Sequence, residues 1–441
     1  MAKLSSVAVS ALSKRDTLLS LLIIAVLFFI FGFVSWANAI LIPYFKIACE
    51  LNHFQSYLVA FAFYIAYLVM SVPSSYLLKA IGFKKGIMAG FWVMALGAVL
   101  FIPAAYERAY PLFLTGLFTI GCGLAILQTA ANPYVTILGP KERAAQRISF
   151  MGICNKGAGI LAPLVLGAVI LKATDSGLVE QLTGMDEAEK KNVLDGFIRR
   201  VIPPYTVMAI VLCLLGIAVR FSPLPEINTD EAGDNASPKE GQAKKYIIHF
   251  PHLILGAVAI FLHVGTQVIA IDTIIPYALS MNIALPEAKV FPSYTLTTTI
   301  IGYIIGIVAI PRYIRQGTAL KICTLLGLIF SLGILLVAGQ TNILGHQTDV
   351  SIWFLVLLGL ANSLVWAGIW PLALDGLGRF TKLGASILIM GLCGNALLPL
   401  LYGYFADMET YTLREAYWVL LPCYAYLIFY SFRGYKLRSW R

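Results

Sequence analysis

Charge is what this sequence has least of. Asp, Glu, Lys and Arg make up 12% of its 441 residues, about half the share of an ordinary soluble domain, and that scarcity excludes a soluble protein. Several signatures of chemistry are missing as well. No GxxxxGK[ST] phosphate loop occurs, so nothing in the chain points to an ATP-driven machine. The seven cysteines, Cys49, Cys122, Cys154, Cys213, Cys323, Cys393 and Cys423, stand singly without a CxxC, and the five histidines are as scattered. Such a pattern offers no metal site and no disulfide framework, and leaves the cysteines to packing. An enzyme embedded in a membrane needs His, Asp or Glu clustered within apolar segments. Here Asp272 is the only carboxylate well inside one.

Apolar residues are what the chain has in excess, at 59%, with a mean hydropathy of +0.82. They gather into twelve stretches at 18–45, 54–79, 86–105, 109–138, 147–171, 201–221, 251–280, 290–311, 318–340, 350–374, 384–406 and 415–432. About 20 residues of helix cross a hydrocarbon core of about 30 Å, so each reads as a membrane span. The first is too long for a signal peptide and lacks a small-residue cleavage site, and is read as a retained span. If the N-terminus is cytoplasmic, the inner loops and tails hold 22 Lys and Arg and the outer loops 9; Lys156, within a span, completes the 32. That excess predicts cytoplasmic termini. The net charge of +10 then reports topology and attraction to anionic lipid, with no call for a nucleic-acid partner.

One polar, charged segment, 222–246, falls between the sixth and seventh spans and reads as a linker joining halves 1–221 and 247–441. A second, 175–200, lies between spans five and six. Its apolar residues Leu182, Met185, Val193 and Leu194 permit a short helix, but a solvated external loop is expected. The halves echo each other: "GLAILQTAANP" from Gly123 to Pro133 in span four is matched by "GLANSLVWAGIWP" from Gly359 to Pro371 in span ten. Six-plus-six spans around a midplane site are the plan of major facilitator transporters.

More specific motifs narrow the comparison. "QTAANPYVTILGP" in span four, "NAILIPYFK" in span one, "NKGAGILAPLVLGAVIL" in span five, "HVGTQ" in span seven and "WPLALDGLGRFTKLGAS" after span ten resemble the fucose permease and glucose/galactose transporter family of major facilitator proteins. The resemblance runs over most of the chain. It implies an all-α membrane protein of the bacterial inner membrane, acting as a monomer, that takes up a monosaccharide by symport with a proton or sodium ion and uses no cofactor. Departures are informative. Lys79 stands where the superfamily's loop after span two has an acid, as in the fucose permease branch. Ala39 and Gln128 align with the two carboxylates that fucose permease uses in spans one and four, so coupling must use other groups.

The polar residues inside spans are therefore the candidate machinery, because an amide or charge facing lipid is costly. Gln128 and Asn132 share one face of span four, and amides supply the donors and acceptors that sugar hydroxyls need. Pro133 removes a backbone hydrogen bond beside them and is expected to bend the helix. Lys156 is level with Gln128, about 16 Å from the cytoplasmic ends of their helices; donation to sugar, proton carriage and service as a fixed cation are all open to it. Span seven carries His263 and Gln267 near mid-depth, and Asp272 in its outer third, too far along to pair with Lys156. Asp272 is accordingly the candidate for cation coupling, with Lys156 the alternative. In span ten Asn362, Trp366 and Trp370 recur every four residues, which suits a wall of aromatic faces against the apolar side of a sugar ring. Asn38, Asn155 and Asn395 complete the candidate binding residues. An uncoupled sugar facilitator is the rival reading, since both familiar carboxylates are missing.

Overall fold

The computed structural model describes residues 14–137, 144–171, 184–222, 246–310, 313–377 and 380–440, with Leu182 and Leu224 besides. Apolar helices follow one another almost without interruption, because within hydrocarbon each backbone N–H and C=O must find its partner in its own segment. Among the described residues, eleven helical stretches are long and apolar enough to cross a membrane, from Thr17–Ala48 to Ile387–Ala406. A shorter apolar element, the 3-10 turn Glu415–Val419 leading into helix Leu420–Phe432, supplies the twelfth. The fold is thus all-α, with twelve spans. An even number returns both termini to one end of the bundle, here called proximal; the opposite end is distal.

Among the described residues five spans are interrupted part-way, the third at Leu100 between Phe83–Val99 and Phe101–Tyr106. The first consists of Lys14–Trp36 and Asn38–Ala48, the seventh of Pro251–Asp272 and Ile274–Ser280, the tenth of Ser351–Asn362 and Val365–Leu374. The eleventh runs from Thr381–Met390 through the 3-10 turn Gly391–Cys393 into Gly394–Ala406. Breaks survive in a membrane where side chains or cavity water cover the freed backbone groups. At the seventh span the Ile269 carbonyl keeps the Thr273 backbone N–H at 3.1 Å and also accepts the Thr273 hydroxyl at 2.7 Å.

Glycine sets how closely the helices approach. A Cβ on Gly32 would lie 1.9 Å from the Asn155 carbonyl oxygen, and one on Gly394 would lie 1.9 Å from that of Phe261. Bare backbone at these crossings clamps span one onto span five and span eleven onto span seven.

Contacts between the first six spans and the last six include a set at the distal end. Span two, His53–Ile81, packs on span eleven, and span five, Ala144–Ile170, packs on span eight, Phe291–Ala309. Asp407, just past span eleven, accepts the backbone N–H groups of His53 and Phe54 at 2.9 and 2.7 Å. It caps the first turn of span two from across the halves, where helix N–H groups are otherwise unpaired. Gly403 leaves room for the Tyr57 ring, whose edge would stand 2.4 Å from a Cβ there. The Ser293 hydroxyl donates to the Ile160 carbonyl at 3.1 Å. Together these contacts close the distal end.

Two expectations are corrected. Within 175–200, read as a solvated loop, Glu187–Ile198 is a helix. Asp186 caps it by accepting the Glu189 N–H at 2.7 Å, and Leu194, Phe197 and Ile198, which share one helical face, are buried. The Tyr44 hydroxyl reaches the carbonyls of Phe197 and Ile198 at 2.6 and 3.0 Å, fixing the helix to span one. Span nine, expected to reach 340, ends at Leu336. The chain then forms an antiparallel hairpin of Gln340–Ile343 and His346–Asp349. It turns through Leu344 and Gly345, both at positive φ, the backbone that a two-residue hairpin requires and that glycine tolerates. The expected linker 222–246 lies outside the described residues apart from Ser222, Leu224 and Tyr246.

Candidate functional site

Polar side chains from five spans meet near mid-bundle in a connected chain of contacts. It starts at Gln128 of span four, Tyr110–Ile137, whose Nε2 donates to the Tyr67 hydroxyl at 2.7 Å. The Tyr67 ring stacks on that of Tyr64, with centroids 6.3 Å apart, and the Tyr64 hydroxyl donates to the Ser35 carbonyl at 3.3 Å. Trp36 follows, at the end of the first helix of span one. Its indole N–H points to Asn155 Oδ1 at 3.4 Å, and Asn155 Nδ2 in turn donates to the Phe28 carbonyl at 3.3 Å. The Gly32 crossing is what brings span five close enough for these bonds.

Lys156, 6% exposed, lies with its ammonium 3.9 Å from the centre of the Trp36 ring. It donates to Gln267 Oε1 of span seven at 3.1 Å. This is how a cation is tolerated at such depth: an aromatic face and an amide oxygen replace part of the water it has lost. Lysine has three donor protons, and one recorded hydrogen bond leaves capacity for a polar ligand. His263, one turn from Gln267, is buried and lies in the field of Lys156 and beside Asn362.

The arrangement resolves the sequence candidates. Lys156 and Gln267 touch, joining the two sets of six spans directly. Gln128 and Lys156, level along their helices, do not touch but are linked through the tyrosines, Trp36 and the first span. Asn362 falls before the break in span ten and Trp366 and Trp370 after it, so they do not form one continuous helical stripe. The Asn362 side chain accepts from the Tyr424 hydroxyl at 3.0 Å, while the two tryptophans stack on each other at 5.2 Å and 21°. Asn395 is 8% exposed, with its Oδ1 unpaired. The side chains of Asn38, Asn132 and Pro133 lie outside the described residues, although the helix of span four continues past them to Ile137. Asp272 ends the long helix of span seven, fully buried, with neither oxygen hydrogen-bonded. Trp36, Tyr64 and Tyr67 were missed from the sequence. The signal was present: two tyrosines three residues apart share a helical face, and Trp36 immediately precedes the "NAILIPYFK" break.

Gln128, Asn155 and Gln267 are half-buried and Trp366 and Trp370 likewise. Amides at this depth are costly against lipid and belong in the bundle interior. Among the described residues, no group of three or more His, Cys, Asp or Glu is placed to hold a metal ion. A twelve-span bundle with amides, aromatics and one cation drawn from both sets of six is the architecture of a membrane transporter.

The comparisons agree and place it more finely. The Major Facilitator Superfamily model matches residues 24–399, and the chain belongs to that superfamily of transporters. It is 34% identical over 427 residues to the glucose/galactose transporter of Brucella abortus (strain 9-941), covering 96% of each chain. Against the L-fucose-proton symporter of Escherichia coli (strain K12) it is 27% identical over 394 residues, 89% of this chain and 88% of the relative. The crystal structure of FucP in the outward conformation superposes with a TM-score of 0.70 at 26% identity, over 97% of this chain and all of that one.

Proposed function

We propose that the protein takes up a monosaccharide, a hexose, deoxyhexose or N-acetylhexosamine, by cation symport with alternating access. Its place would be a bacterial inner membrane, with the termini and proximal end cytoplasmic. The observation that carries the reading is the Gln128–Tyr67–Tyr64–Trp36–Lys156–Gln267 chain, which gathers amide, hydroxyl, ammonium and indole groups from both sets of six spans at mid-bundle. Sugars are recognised by that mixture, with polar groups on the hydroxyls and aromatic faces on the ring. Similarity to named glucose/galactose and fucose transporters over nearly the whole chain supports the same substrate class. Segment 222–246 serves as the linker between halves 1–221 and 247–441 that rock about this site, and no cofactor beyond the coupling ion, proton or sodium, is called for. Asp272 is the proposed coupling carboxylate.

Coupling is tested by uptake of labelled sugar into liposomes under an imposed proton or sodium gradient. Accumulation above the outside concentration that collapses on adding an ionophore is expected; equilibration alone would make the protein a facilitator. For the binding site, Gln128→Ala is expected to weaken sugar binding by about 1–3 kcal/mol, the cost of leaving a hydrogen-bonding group without its partner. Unchanged affinity in the folded variant would remove Gln128 from the site. Trp366→Ala and Trp370→Ala should each impair affinity more than thermal stability, if the stacked pair walls the sugar space. Equal loss of stability without a specific binding defect would assign the pair to packing.

A further inference from the structure

The seam between the two sets of six spans closes distally over a carboxyl group that the protein leaves unpaired. Asp272 is 0% exposed and neither oxygen has a hydrogen-bond partner. Across the seam stands Tyr57 of span two, also 0% exposed, its hydroxyl unpaired and in the field of Asp272. The hydroxyls around them are committed. Tyr402 donates to the Leu413 carbonyl at 3.0 Å. Thr273 gives its proton to the Ile269 carbonyl, so at 2.7 Å from Tyr417 it is the acceptor. The charged groups nearer the distal surface are engaged with one another: Asp407 holds the N–H groups of His53 and Phe54, and Lys46 Nζ lies 2.7 Å from His53 Nε2. Asp272 is thus cut off from water with no donor on either oxygen.

A carboxylate removed from water without donor or cation costs several kcal/mol, whereas the neutral acid costs far less. A sodium ion would need about six converging oxygens, whereas the unpaired oxygens here are the two of Asp272 and the Tyr57 hydroxyl. We propose that the distal end closes only over a protonated Asp272, so that the ion carried with the sugar is a proton taken up at the distal face. While that end is open, Asp272 is wetted and exchanges its proton with outside water. Closure seals the seam over the neutral O–H, and the proton leaves to water that reaches span seven once the proximal end opens. The inference rests on the reading of the chain as an alternating-access carrier and specifies its coupling ion.

The test follows the distance between two probes at Leu51 and Glu409, introduced as non-natural amino acids on the two sides of the distal seam, in the full-length protein in lipid nanodiscs without sugar. The wild type is expected to be closed at acid pH and to open on alkalinisation, the open-to-closed ratio changing about tenfold per pH unit as one titrating group dictates, equally in sodium and in potassium. Asp272→Asn, a permanent mimic of the neutral acid, should hold the wild type's acid-pH ratio of open to closed at every pH, still opening and closing but no longer titrating. His53→Gln should titrate as the wild type does, which excludes the His53–Asp407 contact as the sensor. A wild type indifferent to pH, closure driven by sodium at alkaline pH, or an Asp272→Asn variant that still titrates would each overturn the proposal. Should Asp272→Asn fail to fold, the wild-type titrations in the two salts decide alone. With no sugar present, failure here leaves sugar transport standing, and failure to transport sugar leaves this measurement valid.

Discussion

Asp272→Asn is expected to retain exchange of sugar for sugar while losing accumulation driven by an ion gradient, so that the inside-to-outside ratio falls to about one. Exchange needs the binding site and the rocking motion but no net ion movement. Accumulation needs a group whose interaction with the ion differs between the two states, since a ligand shifts an equilibrium only by its differential affinity. Asp272 meets that condition: it is sealed in the seam when the distal contacts are made, and separation of Gly403 from Tyr57 and of Asp407 from the start of span two would wet it. Asp272 is the carboxylate well inside the spans, and it is the residue to which we assign the task. If Asp272 only holds the seam together, exchange and accumulation will fall in parallel.

Lys156→Ala is expected to lower sugar affinity by about tenfold or more, the loss of one hydrogen bond to a charged group, about 1.5–3 kcal/mol. The same change should leave the ion dependence of what transport remains in place. It removes the contact with Gln267 and the partner of the Trp36 ring, the one link in the polar chain that crosses between the two sets of six spans. Measured in parallel, the two variants separate the roles. If Lys156→Ala alters the pH or sodium dependence while Asp272→Asn leaves it intact, the lysine carries the proton or stands in for the cation, and the coupling assignment is wrong.

Much of this architecture was legible in the sequence because the bilayer imposes a strong rule. Twenty apolar residues in a row have few other fates, and all twelve spans emerge within a few residues of their predicted limits, apart from the ninth. That span failed because "VAGQT" continues the apolar run past Leu336, and hydropathy does not register the turn chemistry of Leu344–Gly345. The helix Glu187–Ile198 was passed over for the opposite reason. It is charged, and its Leu194, Phe197 and Ile198 face only becomes decisive once Tyr44 is seen to hold it.

The site was half legible. Polar residues within spans are conspicuous, so Gln128, Asn155, Lys156 and Gln267 could be picked out one at a time. Which of them touch depends on helix rotation and on close crossings such as Gly32 against Asn155, where tenths of an ångström matter. Depth counting placed Lys156 level with Gln128 but could not show that its partners are Gln267 and an aromatic ring. Trp36, Tyr64 and Tyr67 were overlooked because aromatic residues are common throughout the spans, and only their hydroxyl and indole partners set these three apart. The break at Ser363–Leu364 likewise divides a pattern that spacing alone presents as one stripe.

Counterflow in liposomes tests the central claim most directly. Vesicles preloaded with unlabelled glucose, galactose, mannose, fucose or N-acetylglucosamine would be diluted into trace label of the same sugar, with no ion gradient. The account predicts transient accumulation of label for at least one of the five, abolished or sharply reduced in Gln128→Ala and Lys156→Ala. No counterflow with any of them, from protein shown to be folded, would contradict it.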